Sequence, residues 1–310
     1  MSVQHDRVAV EKYHGTGNDF IVVDAVESIP DRPAFATTHC DRESGVDHEA
    51  SKRTGADGVL FLALEPQYSP PRVIMTLVQP DGSVAAMCGN GARVAAAWAA
   101  ERTGSTELMI DTPAGTRHAI VDETGVTIEM GEPSFAPRDV PLVRDTELIE
   151  EDVEGLTVTA VNTGVPHAVA IVDDVDEVDL EAVAPAVRHA DVFPEGANVT
   201  VASRVASAET DEAASDGADT DAGTNTDGPH FRQRTYERGV EGETRSCGTG
   251  AVAVAAVAKR LGLIGGDEEV TVSPPGGDLR ITVPDGESAT LAGPAEREFV
   301  GELATVMRSV

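Results

Sequence analysis

The chain reads as an α/β (α+β) protein of two pseudo-symmetric lobes, each a strand-rich layer around one central apolar helix. Two observations predict this. Short motifs recur in the same order in both halves: Thr16-Gly17 and Thr163-Gly164, Gly55-Ala56-Asp57 and Gly196-Ala197-Asn198, Cys88-Gly89-Asn90-Gly91-Ala92 and Cys247-Gly248-Thr249-Gly250-Ala251, Thr112-Pro113-Ala114-Gly115 and Ser273-Pro274-Pro275-Gly276. The spacing from Cys to the last Gly of the series is also nearly equal, 27 residues from Cys88 to Gly115 and 29 from Cys247 to Gly276, as a duplicated unit requires. Second, the run Ala251-Val252-Ala253-Val254-Ala255-Ala256-Val257-Ala258 has no polar face, so a helix there must be buried nearly all round, and a sheet wrapped around it meets that demand.

The elements follow in order. Val8 to Tyr13 and Phe20 to Val23 read as strands flanking a Gly-rich turn, and Val73 to Val78 as a strand entering the turn Gln79-Pro80-Asp81-Gly82. A helix from about Gly91 to Arg102 is stopped by Gly104, and strands return at Leu108–Asp111, His118–Val121 and Val126–Met130. In the second half Leu156–Val161, Ala168–Val172 and Val199–Ala202 read as strands. The helix runs from about Gly250 to Leu261 with Gly262 as its stop, and Val270–Val272 and Leu279–Val283 follow as strands. Ala206 to Pro229 holds seven acidic and no basic residues, and reads as a disordered, solvated insertion.

At 310 residues the chain has room for two domains with real cores, and 41 % apolar content is that of a globular protein. Lys+Arg 23 against Asp+Glu 54 gives a net charge of −31. Such a surface repels nucleic acid and anionic membranes, so neither is an expected partner. We read it as a surface adapted to a high-salt cytoplasm rather than an acidic docking face, and expect folding and activity to need salt. Three cysteines without CxxC spacing make neither a disulfide framework nor a zinc site. The absence of a leader-like N-terminus and of a long apolar run adds to the expectation of a soluble, cytoplasmic protein with reduced thiols.

The chemistry lies in the Cys-Gly pair. A helix start offers unpaired N–H groups and the positive end of the macrodipole, which favour an anion and should lower the pKa of a Cys placed there. Adjacent glycines let the N–H groups reach a bound carboxylate. In equivalent places of two lobes, Cys88 and Cys247 could face each other across a cleft and flank one α-carbon. One sulfur would act as thiolate base and the other as thiol acid, inverting the stereocentre, while the helix N–H groups stabilise charge developing on the carboxylate. This needs no cofactor, and no metal-ligand spacing is present. Cys40 reads as a small buried hydrophobe. His167 could tune a thiol or be an ordinary turn histidine. Glu237 and Arg238, close before Cys247, could hold the ammonium and carboxylate of an amino-acid head group, Arg238 bidentately.

Together, Gly15-Thr16-Gly17-Asn18-Asp19-Phe20, Met87-Cys88-Gly89-Asn90-Gly91-Ala92-Arg93, Pro166-His167, Asn198-Val199, Glu237-Arg238-Gly239 and Ser246-Cys247-Gly248-Thr249-Gly250-Ala251 resemble the diaminopimelate epimerase family. The resemblance implies interconversion of LL- and meso-2,6-diaminopimelate in lysine biosynthesis, with Cys88 and Cys247 as the two bases. It also implies Gly89, Asn90, Gly248 and Thr249 on the reacting carboxylate, Asn18, Gln79, Asn198, Glu237 and Arg238 in substrate contacts, and His167 and Glu237 as tuners of the thiols. The implied lobes are mostly antiparallel sheets, each curled around its helix: residues 1–132 with a C-terminal return at 293–310, and 133–292 carrying the insertion 206–229. Gln79, Val165 and Gly58 depart from the commoner pattern. Val165 cannot replace the hydrogen bonds of the Asn often found there, and Asn162 is the residue placed to compensate. A proline or hydroxyproline racemase-type enzyme is the alternative within enzymes, although that family typically has His at the place of Asn90. Outside them stands a noncatalytic thiol redox or binding protein. A homodimer is left open.

Overall fold

The computed structural model describes residues 7–206 and 228–305, so most of the acidic segment 206–229 lies outside the described residues. The chain divides into two compact units, residues 1–131 with 290–310, and 132–289. In chain order the first unit contains β1 (Arg7–Gly15), β2 (Asn18–Asp24), α1 (Arg32–His39), β3 (Gly58–Glu65), β4 (Arg72–Val78), β5 (Val84–Ala85), α2 (Gly89–Thr103), β6 (Glu107–Thr112), β7 (Gly115–Asp122) and β8 (Gly125–Gly131). The second contains β9 (Glu151–Val153), β10 (Leu156–Asn162), β11 (Pro166–Ile171), α3 (Leu180–Arg188), β12 (Asn198–Arg204), β13 (His230–Glu237), β14 (Gly242–Thr244), α4 (Gly248–Arg260), β15 (Val270–Ser273) and β16 (Leu279–Thr282). β17 (Ala289–Gly293) and β18 (Glu296–Ala304) lead back to the first unit, where β17 pairs with β8 and β18 runs antiparallel to β1.

The pairing scheme repeats. In the first unit β1–β2 is a hairpin, β2 lies parallel to β3, β3–β4 is antiparallel, β4 lies parallel to β6, and β6–β7–β8 is an antiparallel meander. In the second, β10–β11, β11–β12, β12–β13, β13–β15 and β15–β16 follow the same sequence of antiparallel and parallel steps. The sequence repeats occupy matching places: Thr16-Gly17 and Thr163-Gly164 turn the first hairpins, Asp57 and Asn198 stand at the entry to β3 and β12, and each Cys precedes the central helix. The architecture is therefore a mixed α+β fold of two units built alike, as expected.

Each central helix is enclosed by its own sheet. α2 packs on β1, β3, β4, β6, β7 and β8, and α4 on β10, β11, β12, β13, β15 and β16. All nine residues from Gly250 to Ala258 are buried, the outcome that a helix without a polar face demands. A second apolar layer covers the other side of each sheet. In the first unit Phe35 and Ala36 of α1 pack with Ile21, Val23 and Val59; in the second Ala184 and Val187 of α3 pack with Val199 and Val201. With both faces covered, β2, β3, β11 and β12 are each buried over at least five consecutive residues rather than at alternate positions.

The sequence reading does not anticipate α1, β3, α3 or β13. α3 carries Pro185 inside it, and α1 is only eight residues long with Pro33 in its first turn. β13 alternates Arg232 and Arg234 with a buried Gln233, so its inward face contains an amide that hydropathy scores as outward.

Candidate active site

In the first unit Cys88 is the N-cap of α2, with extended backbone (φ −148°, ψ 115°), and its sulfur accepts the Gly91 N–H at 3.4 Å. The two-residue β1–β2 loop has positive φ at both Thr16 (49°) and Gly17 (83°), the geometry that matches the twist of the flanking strands. This loop sets Asn18, whose carbonyl oxygen accepts from Asn90 Nδ2 at 2.5 Å and whose Nδ2 donates to Asp57 at 3.1 Å. Asp57 is gripped by Arg42 at 2.5 Å and Arg53 at 3.1 Å. The same arginines, with Lys12 at 2.9 Å, hold the buried Asp19, and these cations keep its carboxyl well below the ordinary value, at about 2, despite burial that works the other way. Asn18, Gly89, Asn90 and Cys88 are thus brought to one place. Gln79 sits apart from them in these contacts: its amide donates to Ser83 Oγ at 2.9 Å within its own turn.

In the second unit Cys247 is likewise the extended N-cap of α4 (φ −121°, ψ 103°), and only 6 % of it is exposed. Its sulfur lies 3.4 Å from Thr249 Oγ1, which is 3.0 Å from His167 Nε2. His167 Nδ1 meets Thr200 Oγ1 at 3.2 Å, and Asn198 Nδ2 lies 3.3 Å from Nε2. Asn198 also accepts the Arg238 backbone N–H at 2.7 Å, which fixes its amide orientation. Complete burial, followed by the Arg238 charge, lowers the His167 pKa to about 3, so the ring is neutral. His167 is therefore no turn histidine: it stands on β11 inside the hydrogen-bonded surroundings of Cys247.

Glu237 ends β13 and accepts from the Thr244 hydroxyl as well as from the Cys247 thiol. Burial raises its carboxyl above the ordinary value, and these two hydrogen bonds only partly oppose that. For Cys247 the expectation of a lowered pKa needs correction. Burial pushes the thiol up, and the Glu237 carboxylate pushes it further, while the Thr249 hydroxyl and the Gly250 amide work in the opposite direction and lose. Cys40, 1 % exposed, behaves as expected of a buried hydrophobe, its thiol pushed up to about 12 by burial. Arg238 spends Nη1 on the carbonyls of Glu195 and Gly196 at 3.2 and 3.4 Å. Asn162, the residue placed to compensate for Val165, donates to the Asp139 carbonyl at 2.6 Å and accepts from Gly164, which ties it to its own loop.

The glycines contribute unequally. A Cβ on Gly250 would approach Gln233 Nε2 to 2.6 Å, and one on Gly91 would approach Leu60 to 3.2 Å, whereas Gly89 leaves ordinary contact distances. Close packing therefore constrains the second glycine of each motif. Gln233 also donates to the Cys247 carbonyl at 3.2 Å and to Thr235 Oγ1 at 2.9 Å, fixing the helix start from behind. Neither Gln233 nor Asp57 stands out as a site residue in sequence, although Asp57 lies in a repeated motif opposite Asn198.

A family model for diaminopimelate epimerase matches residues 10–136 and 159–298. The chain belongs to the diaminopimelate epimerase family. A protein named diaminopimelate epimerase from Methanocella arvoryzae is 40 % identical over 307 residues, covering 96 % of this chain and 97 % of that protein. Among solved structures, a Bacillus anthracis phenazine biosynthesis protein of the PhzF family aligns with TM-score 0.61 and 16 % identity, over 96 % of this chain and 99 % of that one. A hydroxyproline epimerase from Agrobacterium vitis aligns with TM-score 0.58 and 16 % identity, over 98 % and 94 %. At such identities the two structures speak for the fold alone. Membership of the diaminopimelate epimerase family makes the chain an isomerase of the kind that works without pyridoxal phosphate. Among the described residues no helix is long and apolar enough to cross a membrane.

Proposed function

We propose that this protein interconverts LL-2,6-diaminopimelate and meso-diaminopimelate without a cofactor, in lysine biosynthesis, by a two-base mechanism with Cys88 and Cys247 as the bases. The observation that carries the reading is the repetition of one device: in each unit a cysteine with extended backbone holds the N-cap position of the buried central helix. For one stereoisomer a thiolate removes the α-proton while the opposite sulfur, as thiol, delivers one to the other face; the reverse reaction exchanges the roles. Charge that develops on the substrate carboxylate is met by the N–H groups of Gly89, Asn90, Gly248 and Thr249 at the two helix starts. Asn18, Gln79, Asn198, Glu237 and Arg238 contact the remaining polar groups of the substrate, and His167 and Glu237 govern the thiols.

Glu237 beside the Cys247 sulfur supports a specific division of labour. Its carboxylate favours the protonated thiol, so Cys247 rests as the acid and becomes a base after giving up its proton. The test is incubation of LL- or meso-diaminopimelate with the protein in D2O without added cofactor, followed by NMR, with Cys88→Ala and Cys247→Ala alongside. Deuterium should enter the α-position with inversion in the wild type. Epimerisation that survives either substitution rejects the two-base mechanism, and turnover of proline but not diaminopimelate moves the reading to the racemase-type alternative.

A further inference from the structure

Asp57, at the entry to β3, accepts from four donors among the described residues. One carboxylate oxygen takes Arg42 Nη2 at 2.5 Å. The other takes the Asp19 backbone N–H at 3.0 Å, Arg53 Nη2 at 3.1 Å and Asn18 Nδ2 at 3.1 Å. Arg42 and Arg53 each bridge Asp57 to Asp19, and the fully buried Lys12 closes the cluster from behind, donating to Asp19 and to the carbonyls of Arg53 and Gly55. Asn18 is an uncharged member of this group, and it also reaches out of it: its Oδ1 accepts from Asn90 Nδ2 at 2.5 Å.

A side-chain amide carries an oxygen on one side and an NH2 group of nearly equal size on the other, so its partners alone decide which way it faces. A carboxylate has no proton to give. Asn18 must therefore turn Nδ2 toward Asp57, which turns its oxygen toward Asn90, and Asn90 must answer with its own Nδ2. The reversed arrangement would set an amide oxygen against the Asp57 carboxylate, two acceptors with no proton between them. A direction fixed at Asp57 is thus carried through two amides to a residue 2 % exposed at the start of α2, two positions after Cys88.

The second unit fixes an amide at the same place with the opposite kind of group. Asn198 stands opposite His167 as Asp57 stands opposite Asp19. Its oxygen is taken by a group that can only donate, the Arg238 backbone N–H at 2.7 Å, which leaves Nδ2 beside His167 Nε2 at 3.3 Å.

We infer that Asp57 is a positioning residue: its carboxylate sets the direction of the Asn18–Asn90 amide pair, and Arg42 and Arg53 hold that carboxylate in place. Its bearing on catalysis rests on the proposed function, in which Asn18 contacts the substrate and Asn90 meets the reacting carboxylate.

The test compares wild type, Asp57→Ala and Arg42→Gln, each labelled with 15N in its five asparagines. The 1H–15N signals of the side-chain NH2 groups are recorded on the full chain without substrate, and those of Asn18 and Asn90 are assigned by single replacement. Asp57→Ala leaves Asp19 to face Arg42 and Arg53, whereas Arg42→Gln loosens the cluster but keeps the Asp57 carboxylate. Wild type should give one set of signals for each amide. In Asp57→Ala both sets should move or double, because both directions become open, and kcat/KM for diaminopimelate should fall by about 10- to 100-fold. In Arg42→Gln the pair should keep its single set. Unchanged Asn90 signals in folded Asp57→Ala overturn the inference, as does equal doubling in folded Arg42→Gln or a kcat/KM in Asp57→Ala within about twofold of wild type. Should Asp57→Ala not fold, the wild type decides: slow solvent exchange of the Asn18 NH2 hydrogens supports the inference, and exchange as fast as that of a free amide overturns it. The amide signals need no substrate, so a protein that leaves diaminopimelate unchanged sinks the proposed function and not the role of Asp57, while loss of the amide signature leaves the wild-type D2O result standing.

Discussion

The two helix starts are the same backbone device in different settings. Cys88 is partly accessible, accepts a helix N–H and has a buried arginine on its own helix. Cys247 is buried, with a carboxylate and a threonine hydroxyl at its sulfur. In the repeat, Arg93 corresponds to Val252, so the cation exists in one unit only. The helix terminus therefore does not set thiol ionisation by itself. Burial and the nearest charge outweigh it at Cys247, as expected when the dipole contributes up to about 2 kcal/mol and desolvation of a fully buried group can shift a pKa by about 3 to 5 units.

Several substitutions would break or sharpen that contrast. The largest effect belongs to the sulfurs: Cys88→Ala and Cys247→Ala should each lower the rate of epimerisation by about 100-fold or more, measured by circular dichroism or NMR. If either variant still exchanges the α-hydrogen of one isomer without inversion, the isomer it accepts identifies the face that the remaining sulfur serves.

Next comes the pH dependence of stability that His167 gives the second unit. Folded His167 stays neutral down to about pH 3, whereas the unfolded chain protonates it below about 6.5. The unfolded state thus binds the extra proton, and stability, complete above about pH 6.5, is lost as pH falls. This contribution should cost about 1 to 2 kcal/mol between pH 6.5 and pH 5, and should be missing from the pH dependence of denaturant unfolding in His167→Asn. An identical slope in the variant would remove His167 as the cause.

Glu237→Gln should move the pH midpoint of Cys247 alkylation by iodoacetamide downward by up to about one unit and leave that of Cys88 in place. Movement of both midpoints together would show that the two settings are not independent. Smallest, Thr249→Val leaves one ring nitrogen of His167 with a lost hydroxyl partner and should reduce stability by about 1 kcal/mol, with Thr249→Ser close to wild type. Equal losses in both variants would show that the methyl, not the hydroxyl, is what matters.

Much of this was legible beforehand for a physical reason. The repeat preserves its turn and cap residues, because a left-handed loop, a helix start and a tight strand entry each admit few residue types, so motif order transmits topology. The two central helices were readable from composition, since Ala251 to Ala258 can be stable only in an enclosed place. Short or interrupted elements were not: α3 tolerates Pro185 because burial of Leu180, Ala184 and Val187 compensates for a lost hydrogen bond, and β13 accepts a buried Gln233 because Cys247 and Thr235 take its protons. Gln79, which the resemblance places in substrate contacts, donates its amide to Ser83 within its own turn.

By itself, then, the sequence determined a duplicated fold, a cysteine at each helix start and the family. Tertiary structure decided which charge the Cys247 sulfur meets. Glu237 reaches Cys247 from the end of a strand ten residues earlier, and His167 reaches Thr249 from another strand. Ionisation depends on desolvation and on distances of a few ångströms, and those distances exist only once the strands have wrapped their helix.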